Sequence, residues 1–385
     1  MCYKRFIILA SIFLIIVLNA KPTYCEDSEE ILENQQESFG ISSFIEKSKQ
    51  YSNDIFENID ISKIFNSAIK GDVDNKFLYK QITKIIGKEV QSSLKGLVSI
   101  LIIVVIHSIL KSISDSLENE NISKMIFYVQ YILIVTIIMS NFSDVINLVK
   151  ETTTNLTSYI NILIPLLVSL MIYTGSITTT SILQPLILFI INLIGNLVQD
   201  LLIPLILIIT SISIISKISD KVQIEKFSKF LKSGTVWFLG VVLTVFVGVV
   251  SLEGTLASSV DGITAKTAKA IVSSGIPVVG KVLGDVIDSV LGCGVILKNA
   301  VGFVGVIVIL GICILPIIKL SILTISYKLV AALCEVVADE KIVNLLDEIS
   351  DIFKVLLAIV ISISFMVIIG VTVLIKMSNI GMMYK

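Results

Sequence analysis

The chain has 385 residues, of which 55% are hydrophobic and only 16% are charged, and its mean hydropathy is +0.94. This composition excludes an ordinary soluble enzyme and predicts that most of the chain lies in a membrane. The formal net charge of −1 excludes any overall electrostatic attraction to nucleic acid.

The first segment, residues 1–25, is predicted to be a secretory signal peptide. Lys4 and Arg5 precede a short apolar run over 6–18, which is the arrangement typical of an export signal. A signal that stays uncleaved and serves as a first helix is the alternative. In both cases, the residues that follow are expected to start outside the cell membrane.

Residues 26–92 are polar but show apolar residues at helical spacing, which predicts a small extracytoplasmic helical segment. A solvated leader and a docking surface for another exported protein are the two interpretations of this segment. The spacing occurs in three places: Ile41, Phe44 and Ile45; Ile55, Phe56 and Ile59; and Ile64, Phe65, Ala68 and Ile69.

Residues 93–385 are predicted to form a polytopic membrane domain, because apolar runs follow one another at lengths close to the roughly 20 residues that cross a bilayer. At Asp200 two runs almost touch, so the total is seven or eight. The predicted spans are 94–110, 126–143, 158–173, 182–199, 201–216, 235–253, 295–319 and 354–376.

The connection over residues 217–232 carries five lysines against Asp220 and Glu225. Basic loops stay in the cytoplasm, so this connection is expected inside, as eight spans from an external start require. The pattern of apolar and acidic residues over 320–353 predicts an amphipathic pair of helices at the cytoplasmic interface. Their acidic face is expected either to be solvated or to bind a partner. That face consists of Asp339, Glu340, Asp347, Glu348 and Asp351.

The fold class predicted from these runs is all-α, with about seven or eight transmembrane helices, kinked and glycine-rich, plus the amphipathic interfacial helices. Five of the six prolines lie within or beside apolar runs, where a missing backbone donor kinks a helix. They are Pro165, Pro185, Pro204, Pro277 and Pro316.

The stretch 254–311 combines many glycines with charged residues, and it is the candidate site. Charged side chains are costly in lipid, so they are expected to face water, a partner or each other. The spacing of Gly280 and Gly284 favours close helix packing, and an ion or solute path is the functional alternative. The candidate conduit or partner-contact residues are Asp261, Lys266, Lys269, Pro277, Gly280, Lys281, Gly284, Asp285, Asp288 and Lys298.

No cofactor, metal or enzymatic activity is expected. The five cysteines are far apart, and His107 is the only histidine, so metal clusters and a Ser-His-Asp triad are not supported. Gly275 to Lys281 has the spacing of a phosphate-binding loop, but Val282 stands where Ser or Thr is required. Asp285 and Asp288 are the only close acid pair for an intramembrane enzyme, and their spacing favours surface pairing with Lys281 instead.

The run DGITAKTAKAIVSSGIPVVGKVLGDVIDSVLGCGVILKNAVGFVGVIVILGICILPIIK, residues 261–319, closely resembles the stage III sporulation protein AE family of endospore-forming bacteria. NILIPLLVSLM and the span around Trp237 support the resemblance, which covers about 90–385. One departure is that Val336 and Val337 stand where relatives tend to have a proline.

The resemblance implies a membrane subunit of the channel or secretion-like complex that links mother cell and forespore and supports late forespore gene expression. It implies other membrane subunits as partners, with ATP hydrolysis supplied by a separate ATPase subunit, and no nucleic acid. Homo-oligomerisation is left open. The implied location is the mother-cell membrane around the forespore. A stand-alone secondary transporter or permease is the alternative.

Overall fold

A computed structural model describes residues 29–52, 60–70, 120–218, 224–275, 279–335 and 338–377, with isolated positions between 83 and 113. Over 253–289 only the backbone is described. The predicted signal peptide and most of the span 94–110 lie outside these residues. The helices are α1 (Glu29–Ser38), α2 (Ile41–Ser52), α3 (Ile61–Lys70), α4 (Glu120–Tyr173), α5 (Ile177–Asn196), α6 (Ile203–Ile218), α7 (Glu225–Gly275), α8 (Val279–Cys334) and α9 (Glu340–Met377).

Five helices in the described part of the chain are long and apolar enough to cross a membrane. Each is much longer than a bilayer requires, since a helix rises about 1.5 Å per residue and the hydrocarbon core is about 30 Å thick. The predicted count of seven or eight spans is therefore not confirmed. The five segments are Lys124–Tyr173, Ile177–Ile218, Glu225–Leu252, Val290–Cys334 and Glu340–Lys376.

Two pairs of predicted spans are each a single continuous helix. The spans 126–143 and 158–173 both lie in α4, and the spans 182–199 and 201–216 are joined through a π-helical turn, Leu197–Leu202, between α5 and α6. That turn directly precedes Pro204, whose ring nitrogen has no hydrogen to donate to the helix. The sequence left open whether two spans or one bent element meet at Asp200, and the structure places a π-helical turn there.

The polar residues between the predicted spans do not interrupt the helices, because their side chains find partners within and between helices. Thr152 Oγ1 donates to the Leu148 carbonyl at 2.7 Å, and Gln199 Nε2 donates to Thr154 Oγ1 at 3.0 Å. The amide groups of Asn161 and Asn192 bond to each other in both directions. With their side chains satisfied, these residues continue the helix where hydropathy alone predicts a loop.

The turn between α4 and α5 depends on Gly175, which has φ of +87°. The Ser176 N–H donates to the Met171 carbonyl at 2.9 Å, and the Gly175 N–H donates to the Ile172 carbonyl at 3.0 Å. This is the Schellman arrangement, which ends a helix with a left-handed residue. It reverses the chain so that α5 and α6 run antiparallel to α4.

Helix α8 lies at the centre of the bundle and packs against α4 and α9. Its glycines allow close approach: a Cβ at Gly305 would lie 2.6 Å from Leu163 Cδ2, and one at Gly302 would lie 2.3 Å from Ile375 Cδ1. The most apolar part of α8 is 67% buried, whereas that of α7 is only 22% buried. Helix α7 is therefore peripheral.

The predicted amphipathic pair over 320–353 does not form separate helices. Residues 320–334 continue α8, and residues 340–353 begin α9. The two stretches pack on each other, with the Ser350 hydroxyl donating to the Thr324 carbonyl at 2.8 Å. Their amphipathic pattern reflects helix ends that bury one side within the bundle, and their placement at the cytoplasmic interface stays a prediction.

The N-terminal helices α1 to α3 pack onto the bundle at the end where α4 turns into α5. Gln35 Nε2 donates to Tyr173 Oη at 2.9 Å and to the Val290 carbonyl at 3.3 Å, and Ser48 Oγ lies 3.3 Å from Tyr159 Oη. Helix α3 packs on α8. The helical spacing noted at Ile41 and Phe44 coincides with the buried side of α2.

Candidate functional site

The candidate residues from the glycine-dense stretch occupy the end of α7 and the beginning of α8. Asp261, Lys266 and Lys269 lie in α7, and the candidates from Gly280 to Asp288 lie in α8. Their side chains, and Pro277 entirely, lie outside the described residues, so their role in a conduit stays a prediction. Lys298 is the one charged candidate whose side chain is described.

Lys298 is fully enclosed by protein, with 0% of the residue exposed. Its Nζ donates to the backbone carbonyl of Ile375 on α9 across a long hydrogen bond of 3.4 Å. Lys298 lies in one of the five candidate membrane segments, where an ionisable side chain is costly in lipid and faces protein or water. The contact joins the two innermost helices, α8 and α9.

A second group of charges lies at the opposite end of the bundle, and we name it the ionic cluster: Lys217, Glu225, Lys229, Lys232 and Glu348. It joins the end of α6, the start of α7 and the side of α9. Lys217 Nζ lies 2.9 Å from Glu225 Oε2 and 3.6 Å from Glu348 Oε1, while Lys232 Nζ lies 4.0 Å from Glu348 Oε2. Lys229 Nζ lies 2.5 Å from Glu225 Oε1.

Glu348 is the most constrained member of the ionic cluster. Only 7% of the residue is exposed, and both carboxylate oxygens lack a hydrogen-bond partner within the described structure. The lysine nitrogens at 3.6 and 4.0 Å supply opposite charge, but they are beyond ordinary hydrogen-bond distance. A buried carboxylate in this position is held by Coulomb attraction without the hydrogen bonds that normally offset its desolvation.

Buried hydrogen-bonding groups surround the ionic cluster. Ser213 and Ser228 join α6 to α7 through hydroxyls 2.9 Å apart, and Tyr131 on α4 donates its hydroxyl to the Ile214 carbonyl at 2.6 Å. On α4 beside Tyr131, Gln130 is buried, and neither atom of its amide group has a hydrogen-bond partner in the part that the structure describes. Four helices thus contribute polar groups to this end of the bundle.

Glu348 belongs to the acidic face of 320–353, which was expected either to be solvated or to bind a partner. Glu348 is not solvated, because it is buried within the bundle. Asp347 and Asp351 on the same helix are indeed partly exposed and pair with Lys328 and Lys354. The spacing of the sequence could have indicated this burial, because Glu348 lies three residues after buried Leu345 and four before buried Ile352, on the same side of the helix. Hydropathy hides this signal, because it ranks every glutamate as a surface residue.

The arrangement is suited to fixing helices relative to one another. Over the residues that the structure describes, no three His, Cys, Asp or Glu side chains are grouped as metal ligands. The ionic cluster connects distant parts of the chain through charges that would be costly to bury without an opposite charge nearby. Both groups of buried charge therefore mark positions where the bundle tolerates polarity inside apolar helices.

Comparison with known proteins gives a consistent assignment. The family model described as Stage III sporulation protein AE matches residues 59–378. The Stage III sporulation protein AE of Bacillus subtilis (strain 168) is 32% identical over 297 residues, which cover 77% of this chain and 74% of that protein. No solved structure matches. With a family model matched over most of its length and this relative, the chain belongs to the stage III sporulation protein AE family.

Proposed function

We propose that this chain is a membrane subunit of the channel or secretion-like complex that links mother cell and forespore, and that it supports forespore development and late gene expression. The family match over residues 59–378 carries the proposal, since a role in sporulation follows from it. Five helices able to cross a membrane support the membrane placement. The mother-cell membrane around the forespore is the proposed location.

The structure supports a specific topology within this proposal. If each long helix crosses once and the predicted span 94–110 adds one crossing, the chain crosses six times. Residues 29–70 and the turn at Gly175 then lie outside, and the ionic cluster lies inside. The N-terminal helices contact Tyr159 and Tyr173 at the outer end, and the lysine-rich connection is at the inner end, as basic loops require.

This topology is tested by labelling single cysteines in cells with a reagent that does not cross membranes. Ser38→Cys on α1 is expected to react from outside, whereas Asn344→Cys on α9 reacts only after the membrane is permeabilised. Both positions are exposed, so a missing reaction is not explained by burial. Equal reactivity of the two positions in intact cells would refute the topology.

The proposed path for a transported species is the charged stretch at the end of α7 and the start of α8. Its lining would be the ten candidate residues from Asp261 to Lys298. The enclosure of Lys298 by protein supports the expectation that charged residues in this stretch face protein rather than lipid. We propose no enzymatic activity for the chain and expect ATP hydrolysis to come from a separate subunit.

The experiment that tests the function removes the gene from a sporulating host and measures gene expression in the engulfed forespore. Deletion is expected to abolish late forespore expression, and the wild-type gene is expected to restore it. Substitutions of Lys266, Lys269, Asp285 and Asp288 are then compared with wild type. Full restoration by all four would reduce the charged stretch to scaffolding without affecting the sporulation role.

A subunit of a complex and a stand-alone permease differ in what the purified chain does alone. The subunit proposal predicts co-purification with other membrane proteins of sporulating cells and no solute flux in liposomes that contain this chain only. Flux in such liposomes, at a rate that rises with the amount of chain, would favour the permease.

A further inference from the structure

The exposed side of α7 near its first residue combines lysines with aromatic side chains. Lys226 and Lys229 are exposed, and the side chains of Phe230 and Trp237 are among the least covered in the molecule, at 70% and 71% exposed. Lys226, Phe230 and Trp237 follow one another at intervals of four and seven residues, so they form one stripe along the helix. Neither α6 nor α9 covers this stripe.

The charge of this region is positive. Residues 217–232 contain five lysines and two acidic residues, an excess of three positive charges. Glu225 pairs with both Lys217 and Lys229, and the buried Glu348 balances only part of the remaining positive charge. The outer side of the first turns of α7 is therefore suited to an anionic ligand.

The dimensions fit one leaflet of a bilayer. Lys226 and Trp237 are eleven residues apart, which is about 16 Å along a helix, close to the roughly 15 Å that half of a hydrocarbon core measures. Beyond Trp237 the same side of the helix continues with exposed apolar Val241 and Val245. A Cβ at Gly234 or Gly240 would meet no atom within 4 Å, so the surface beside Trp237 is open at both positions.

We propose that the first turns of α7 bind an anionic phospholipid, with its phosphate on Lys226 and Lys229 and an acyl chain lying over Phe230 and Trp237. The two lysines extend toward the headgroups while their aliphatic stems and the two rings remain in the apolar layer. Lys229 also bonds to Glu225, so the headgroup site is attached to the ionic cluster, and a bound lipid would contact the group of charges that joins α6, α7 and α9.

The chain contains a single tryptophan, so Trp237 fluorescence reports on this surface without any engineering. We would reconstitute the full chain in bilayers that contain either brominated phosphatidylglycerol or brominated phosphatidylcholine at equal mole fraction, because bromine on an acyl chain quenches indole at contact. The anionic lipid is expected to occupy the site about fivefold more than its share of the bilayer, the effect of roughly one lysine near an anionic surface.

The variant K226Q/K229Q is expected to reduce this preference to about that of bulk lipid, while quenching by brominated phosphatidylcholine stays unchanged. K150Q is the matched control, since Lys150 is exposed on α4, away from Trp237. Equal quenching by the two lipids in the wild-type chain would overturn the proposal, because it would show contact without selection. Absence of quenching by either lipid would overturn it too, because protein would then cover the stripe.

Discussion

Lys217 and Glu348 place opposite charges 3.6 Å apart, and the side chain of each is about nine-tenths removed from solvent. The two residues are far apart in the sequence, and their pairing connects α6 to α9. Removing one member leaves the other charge buried with less compensation, and Lys232 at 4.0 Å from Glu348 offers only a weaker replacement. The pair therefore fixes the position of α6 relative to α9, which apolar contacts alone would not specify.

A double-mutant cycle measures this relationship. Lys217→Met and Glu348→Gln are each expected to destabilise the protein by about 2–4 kcal/mol, because each removes part of the opposite charge that compensates a buried side chain. Their coupling energy is expected to be about 1–3 kcal/mol in thermal or denaturant unfolding in detergent.

The exposed pair Lys354 and Asp351 on α9 is the control for that cycle. Its nitrogen and oxygen are 2.9 Å apart, closer than in the buried pair, but the side chains are 60% and 41% exposed. Its coupling is expected to stay below about 0.5 kcal/mol. A buried pair that couples no more strongly than this control would show that burial at the ionic cluster has no energetic consequence.

Replacing Lys298 separates stability from function. Lys298→Met has a similar shape without the charge, so removing a buried ammonium is expected to leave the melting temperature unchanged or higher. If Lys298 belongs to the proposed path, late forespore expression falls to the level of the deletion strain. Lys376→Met, an exposed lysine at the end of α9, is the control and is expected to behave as wild type. Normal sporulation with Lys298→Met would remove Lys298 from the path.

Gly175 is expected to tolerate alanine poorly, because its φ of +87° is unfavourable for any residue with a Cβ. Gly175→Ala should destabilise the protein by about 1–2 kcal/mol. Gly292→Ala should be neutral or stabilising by up to about 1 kcal/mol, since Gly292 is helical and a Cβ there meets no atom within 4 Å. Melting temperatures of the two variants that do not differ would contradict the turn geometry described for α4 and α5.

Docking of the N-terminal helices is expected to depend on Phe44. This residue is 3% exposed and its ring contacts the ring of Tyr159. Phe44→Ala is therefore expected to reduce the packing free energy of the N-terminal helices by about 3–5 kcal/mol. Limited proteolysis should then cut residues 29–70 faster and leave α4 to α9 intact. Ser42→Ala, on the exposed side of the same helix, should digest like wild type. Unchanged digestion of Phe44→Ala would show that the segment is held elsewhere.

Apolar runs predicted where the long helices lie but not how many there are. The spans 126–143 and 158–173 were separated because Asp144, Lys150 and Glu151 lower the local hydropathy, yet α4 continues through them. A helix longer than a bilayer is not limited to apolar residues, since its outer parts are in water or on protein. Hydropathy counts apolar stretches, and it cannot count helices that extend beyond the membrane.

Charge inside the bundle was only partly predictable. Lys298 lies within an apolar run, so it was expected to face water, a partner or another charge, and the structure encloses it in protein. Glu348 lies in a segment rich in acidic residues, and only its contacts with Lys217 and Lys232 distinguish it from Asp347 beside it. Those contacts depend on helix packing between distant segments, which a single sequence does not contain.

The docking of α3 on α8 has a consequence for the order in which the protein is made. In the proposed topology α3 is synthesised and exported first, but the surface that receives it is synthesised only after α4 to α7. Its apolar side, with Ile61 and Phe65, must wait in the aqueous compartment until that surface is inserted. Docking of the N-terminal segment onto the bundle is therefore a late step in the folding of the protein.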